Sequence, residues 1–320
     1  MLLALFNTML GQKYAIVLLL WLCALPASAQ QEPSFSHYWA MESSFNPAAA
    51  GKDPKINVTG AYAMTLTGFE HNPRTMYVAG DMPFMLLNKM HGVGLQLMND
   101  EIGLFKHQRL AAQYAYKQRL LGGTLSVGVQ VGLLSEKFNG SGLDLEDSGD
   151  PAFSKSDETG TAIDLSVGLY YQHGPWYAGL SVLHATSPTV ELGEKSIYNI
   201  SSSYYLTGGY NIRLHNPLLT IHPSVLVRYD GTVYRGDVTC RLKYTHDSRV
   251  LYAGLGYSPT NSVTAFVGGL FHGVMLGYSY EYYTKALSFG NGSHELFVGY
   301  QTDLNLYKKG RNRHQSVRIL

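Results

Sequence analysis

From Gly123 to Leu133 the chain reads GTLSVGVQVGL, with Leu125, Val127, Val129, Val131 and Leu133 alternating with Thr124, Ser126, Gly128, Gln130 and Gly132. A β-strand sends successive side chains to opposite faces, so one face of this run is aliphatic and the other polar or very small. In a soluble sheet the aliphatic face needs a core to cover it. A tilted strand crossing a bilayer takes about 9–11 residues, which is the length of this run. The fold class therefore turns on how often the pattern recurs.

It recurs in several places. Ile163, Leu165, Val167, Leu169 and Tyr171 oppose Asp164, Ser166 and Gly168. Tyr234, Val238, Cys240, Leu242 and Tyr244 oppose Arg235, Asp237, Thr239, Arg241 and Lys243. Val274, Leu276, Tyr278, Tyr280 and Tyr282 oppose Met275, Gly277, Ser279 and Glu281, and Leu296, Val298 and Tyr300 oppose Glu295, Phe297, Gly299 and Gln301. Strand-like runs fall at roughly 56–64, 74–83, 91–99, 106–119, 123–136, 161–173, 174–184, 201–214, 218–230, 232–246, 248–258, 262–272, 273–285 and 293–307. That makes about fourteen, an even number, as single-chain outer-membrane barrels have. No stretch reads as a long amphipathic helix.

Periodicity does not separate a secreted sandwich from a barrel, but loop lengths do. If the first strand rises from the periplasm, the two longest loops, 137–160 and 185–200, and the moderate 65–73 all fall on the outside. The connections near Leu121-Gly122, His173-Gly174, Asp247 and His272-Gly273 are tight and fall on the inside. Long outside and short inside is the outer-membrane pattern. The expected fold is an all-β, transmembrane, antiparallel outer-membrane barrel of about 14 strands, with its aliphatic faces against lipid.

Composition agrees. Only 15% of the 320 residues are charged, the net charge is +1, and there are 34 Gly and 24 Tyr. Mean hydropathy is −0.07, and outside the N-terminus no apolar run reaches the roughly 18 residues that a helical span needs. So balanced a charge gives no reason to expect nucleic acid as a partner. Lys13, the apolar stretch Ala15–Leu25 and Ala27-Ser28-Ala29 read as a secretory leader over residues 1–29, with Met9 as its start. Removing it leaves Cys240 without a disulfide partner in the chain. Residues 30–55, with Pro33, Pro47 and Pro54 among Phe35, Tyr38, Trp39 and Phe45, form an irregular segment that faces the periplasm or the lumen. The barrel spans 56–307, and a basic tail follows at 308–320.

Landmarks along the chain resemble the PorP/SprF family, outer-membrane proteins of the type IX secretion and gliding machinery in Bacteroidota. They are QEPSFSHYWA with FNPAAAG, then GAYAMTLTGFEHNPRTMYVAGDMPF, GVGLQLMNDEIG, AAQYAYKQRL, LGYSYEYYT, SHELFVGY and the terminal SVRIL. The resemblance covers essentially the whole chain after the leader, in order. Ala63 and Leu66 depart from it, since many relatives carry Arg and Trp there. The resemblance implies a non-enzymatic accessory barrel that assists export or surface attachment of sorting-domain proteins. It also implies partners: a periplasmic ring or peptidoglycan-binding component, and secreted surface proteins.

Three features could carry chemistry. Asp144, Glu146, Asp147 and Asp150 crowd the loop 139–151; calcium takes about six to eight oxygen ligands, but the spacing fits no complete calcium loop, and a solvated acidic loop explains it as well. The expected lumen face carries Arg109, Lys117, Arg213, Arg228, Arg235, Arg241 and Lys243 against Asp81, Asp164, Asp230, Asp237, Glu281 and Glu295. Near-equal numbers of opposite charges favour an internal ion-pair network over a selectivity lining, because confined charges pair. The tail carries Lys308, Lys309, Arg311, Arg313 and Arg318 with no acidic residue, and its apolar finish Val317, Ile319 and Leu320 suits docking on a partner. No G-x-S-x-G, H-E-x-x-H or P-loop is present, and the histidines are scattered. No cofactor is expected. The alternative function is a passive or solute-specific channel.

Overall fold

A computed structural model describes residues 32–140, 157–193, 196–247, 249–259, 261–284 and 290–304. The leader, the acidic loop residues Asp144, Glu146, Asp147 and Asp150, and the basic tail residues Lys308, Lys309, Arg311, Arg313 and Arg318 lie outside the described residues.

The strands in chain order are β1 (Lys55–Met64), β2 (Arg74–Leu86), β3 (Lys89–Ile102), β4 (Phe105–Leu120), β5 (Gly123–Phe138), β6 (Glu158–His173) and β7 (Trp176–Leu183). A small hairpin follows, β8 (Thr189–Leu192) with β9 (Ser196–Asn199), and then β10 (Ser203–Tyr210), β11 (Ile212–Arg213) and β12 (Leu219–Tyr229). The chain ends with β13 (Tyr234–His246), β14 (Arg249–Ser258), β15 (Ser262–Phe271), β16 (Val274–Tyr283) and β17 (Ser293–Asp303). Each strand except those of the small hairpin pairs antiparallel with its neighbours around the sheet. The short β11 continues β10 along the same partner, β12. Pairing of β1 with β17, Lys55 opposite Asp303, and of β10 with β12, Tyr204 opposite Tyr229, closes the sheet into a barrel of 14 strands.

The barrel is inside-out relative to a soluble sheet. On β5 Val127, Val129, Val131 and Leu133 are 45–54% exposed, while Ser126 and Gln130 are 3% and 1% exposed. Tyr204, Tyr234, Tyr257 and Tyr282 ring the outer face near the long loops, and Trp176, Tyr210, Tyr244 and Tyr300 ring it near the short turns. An apolar band between two aromatic girdles is what a bilayer selects.

The short turns are built for tight return. Residues 87–88, 121–122 and 272–273 each place two successive residues at positive φ, the geometry of a two-residue hairpin that matches strand twist. At the other end the connection 184–202, where the long loop 185–200 is expected, contains the β8–β9 hairpin. Val190 and Leu192 of this hairpin pack with Leu134 and Ile200 under the long-loop end.

Residues 32–54 fill the lumen. They turn through three single-turn 3-10 helices, Tyr38–Ala40, Glu42–Ser44 and Pro47–Ala49. His37, Tyr38, Met41, Asn46 and Ala48 are all but fully buried. Phe35 and Met41 pack on Ala61, Ala63, Tyr77, Ala79, Met98 and Phe297 of the wall, and Tyr38 and Phe45 on Leu183, Tyr205 and Leu226. Side chains that would be a soluble protein's core are here the contact between a plug and its barrel.

Candidate functional site: the plugged lumen

The plug descends from the long-loop end at Glu32 to the short-turn end at Lys55, where it becomes β1. At the top, the Glu32 carboxylate lies 2.5 Å from His184 Nε2 and 3.5 Å from Arg109. His184 Nδ1 in turn lies 3.0 Å from the fully buried Asp164. Arg228 Nη1 donates to the carbonyls of Glu32 and Pro33 at 2.9 and 3.1 Å. Burial opposes ionisation of both Glu32 and His184, but their charged neighbours outweigh it. Arg109 and His184 bring the Glu32 carboxyl down to about 2, and Glu32 and Asp164 raise the His184 ring to about 9.

Along the plug the wall supplies one anchor after another. Glu295 accepts from the backbone N–H of Ser36 and His37 and meets His37 Nδ1, at 2.6, 3.1 and 2.6 Å. The Tyr38 hydroxyl sits 3.1 Å from Ser224 and Thr239. Gln113 donates to the Ser43 carbonyl at 2.7 Å and Ser181 to that of Phe45 at 2.6 Å. The guanidinium of Arg241 lies over the Trp39 ring at 3.7 Å, a cation–π contact rather than an ion pair.

At the bottom the chain is held by its backbone. Lys117 donates to the Gly51 carbonyl at 2.6 Å, and the Gly51 N–H donates to Asp81 at 2.8 Å. Gly51 adopts φ +60 with Met82 backbone atoms 2.7 Å from where a Cβ would stand, so no other residue fits. A Cβ on the wall at Gly92 or Gly128 would meet the plug backbone at 2.0 or 2.2 Å. Small residues on the polar face of the strands are therefore where the plug lies against them.

Of the thirteen lumen charges named from the sequence, six meet the plug: Arg109, Lys117, Arg228, Arg241, Asp81 and Glu295. Arg235, Asp237 and Glu281 do come together: Arg235 Nε is 3.0 Å from Asp237 and its Nη2 2.8 Å from Glu281. Arg109, Arg228, Arg241 and Glu295 instead face the plug, and Asp164 faces His184. Glu32 lies in the irregular segment and His184 at the last position of the expected run 174–184, just past the end of β7, and only the fold brings them together. Among the described residues no group of three or more potential metal ligands is present.

A cavity of about 360 Å³ remains at the short-turn end. Trp39, Met275 and Phe297 form its apolar floor, and Lys52, Lys55 and Lys243 stand around it.

This architecture has solved counterparts. The CymD monoaromatic hydrocarbon channel is similar at TM-score 0.50 and 10% identity, over 84% of this chain and 94% of that one. The Pseudomonas putida toluene transporter TodX is similar at TM-score 0.50 and 11% identity, over 85% and 95%. At such identities the likeness concerns the barrel fold. A comparison with curated proteins finds no match. The family model of the type IX secretion system membrane protein PorP/SprF matches residues 27–300, which takes in both plug and barrel. The chain is an outer-membrane β-barrel and belongs to the PorP/SprF family of type IX secretion system membrane proteins.

Proposed function

We propose that this type IX secretion component works by contact rather than by conduction. It is a plugged accessory barrel that assists export or surface attachment of sorting-domain proteins and engages a periplasmic ring or peptidoglycan-binding partner. The observation that carries this reading is the family match running through plug and barrel alike. The filled lumen supports it, since residues 32–54 occupy the space through which a solute would pass. The family and the barrel's solved counterparts are secretion and channel proteins, not enzymes in kind.

In this reading the periplasmic contacts include the basic tail, Lys308, Lys309, Arg311, Arg313 and Arg318, which comes after β17 in the sequence. Tagged protein recovered from gently solubilised native envelopes should bring the same secretion or cell-wall-binding chains with it in every preparation. Removing Lys309 to Leu320 should leave a folded barrel without its periplasmic partner. Recovery of the bare barrel from wild type would refute the accessory role, and unchanged recovery after truncation would refute the tail's part in it.

The cavity at the short-turn end favours a second reading, a solute channel whose plug must first move. Conductance separates the two.

A further inference from the structure

Two neighbouring short turns break the rule that the others keep. The first residue of each two-residue short turn sits in the left-handed region, which Gly, Asn, Asp and His tolerate and branched apolar residues do not. Gly174 (φ 55), Asp247 (φ 53) and His272 (φ 51) follow the rule. The β2–β3 and β4–β5 turns place Leu87 (φ 49) and Leu121 (φ 48) there instead. Neither leucine is compensated by packing, for they are 88% and 85% exposed, with Leu86 and Leu120 about half exposed beside them. Both backbone strain and apolar exposure oppose leucine at these two positions, and among the described residues nothing offsets either.

The tips form one rigid surface. The β3–β4 register puts the two turns side by side, Met90 opposite Lys117. Lys89 Nζ donates across to Gln118 Oε1 at 2.9 Å. Behind them Phe84, His91, Tyr114 and Tyr116 form an aromatic cluster, with ring centroids 5.2–5.7 Å from His91 and the Tyr114 hydroxyl 2.7 Å from its Nδ1. Aromatic clusters on the outer face mark the bilayer interface. Leu121 lies five residues beyond Tyr116, which places the tips roughly 10 Å past that girdle, on the watery side. The short-turn end faces the periplasm in outer-membrane barrels. The turns and their flanks, PFMLLNKMH and YKQRLLGGT, carry Lys89, Lys117 and Arg119 but no acidic residue, Lys117 being turned inward to the Gly51 carbonyl.

We infer that Leu87 and Leu121 are a paired docking element for a periplasmic protein that presents two apolar pockets within an acidic surface. Lipid is the lesser fit, because the tips project beyond the girdle that a bilayer would cover. The inference rests on the accessory role proposed above and adds where on the barrel the partner sits.

The double variant Leu87→Asn, Leu121→Asn tests it, because asparagine accepts the left-handed backbone and relieves the strain. The barrel should fold as before, with heat-modifiable gel mobility unchanged or shifted to higher temperature. Recovery of the partner that wild type brings from envelopes should fall at least tenfold. A photo-crosslinking residue at 87 or 121 should label that same protein. Undiminished recovery by the double variant overturns the inference and leaves the accessory role standing, whereas a wild type that recovers no partner refutes the accessory role itself. Crosslinks to lipid alone overturn the docking element whatever wild type recovers.

Discussion

Glu32 and Gly51 stand at opposite ends of the plug and are held by different forces. Glu32 is fixed by charge, between His184 and Arg109, with Arg228 on the backbone carbonyls. Gly51 is fixed by fit: a left-handed backbone against Met82, two hydrogen bonds, and covalent continuity with β1 four residues on. Charge contacts are released by a proton or a competing ion, and close backbone packing is not. If the plug loosens while the barrel stays intact, its top should let go before its bottom.

Removing the charge at the top should have the largest effect. Glu32→Gln leaves Arg109 without its carboxylate and His184 with Asp164 alone, and breaking a buried pair by one partner costs about 3–5 kcal/mol. Amide exchange should quicken in residues 32–45 and stay slow in 48–51, with the barrel's heat resistance unchanged. Equal loosening at both ends would break the comparison.

Acidity should act on the same end. The His184 pKa, about 9 against an ordinary 6.5, lies above its free value, so its contribution is full below 6.5 and lost as pH rises through 9. The Glu32 pKa, about 2 against 4.5, lies below its free value, so its contribution is full above 4.5 and lost as pH falls through 2. Both hold together between about 4.5 and 6.5. Protection at 32–45, taken relative to the intrinsic exchange rate at each pH, should be greatest there and fall toward pH 9, and a flat protection profile would contradict the latch.

The smallest effect belongs to the bottom. Gly128→Ala sets a methyl group 2.2 Å from the Ala48 nitrogen, and overpacking of this kind costs roughly 1–3 kcal/mol. The loss should appear as lower protection at 46–51, by the same factor at every pH. A pH-dependent loss would mean that the two ends are coupled.

The barrel was legible because a period of two survives in several of the long strands, and because short and long connections segregate to opposite ends. The β8–β9 hairpin was not, since strands of four residues inside a long connection leave too little alternation to read. Periodicity says which face Arg109 takes, yet not what lies across the lumen from it. Its carboxylate, Glu32, belongs to a segment without any repeat, so the plug's path comes only from the fold. Phe297 shows the same limit: it stands among polar residues on the lumen face of β17, an exception that makes sense once Phe35 and Met41 are seen to pack on it. Gly92 and Gly128 were the one local sign, since side chains were absent where the plug backbone passes.

The claim that this barrel works by contact, with its lumen occupied, is tested most directly by conductance of the purified protein in a planar bilayer. The account predicts no steady open state for wild type between pH 5 and 7, and openings in the Glu32→Gln variant. A steady pore of porin size in wild type would contradict it.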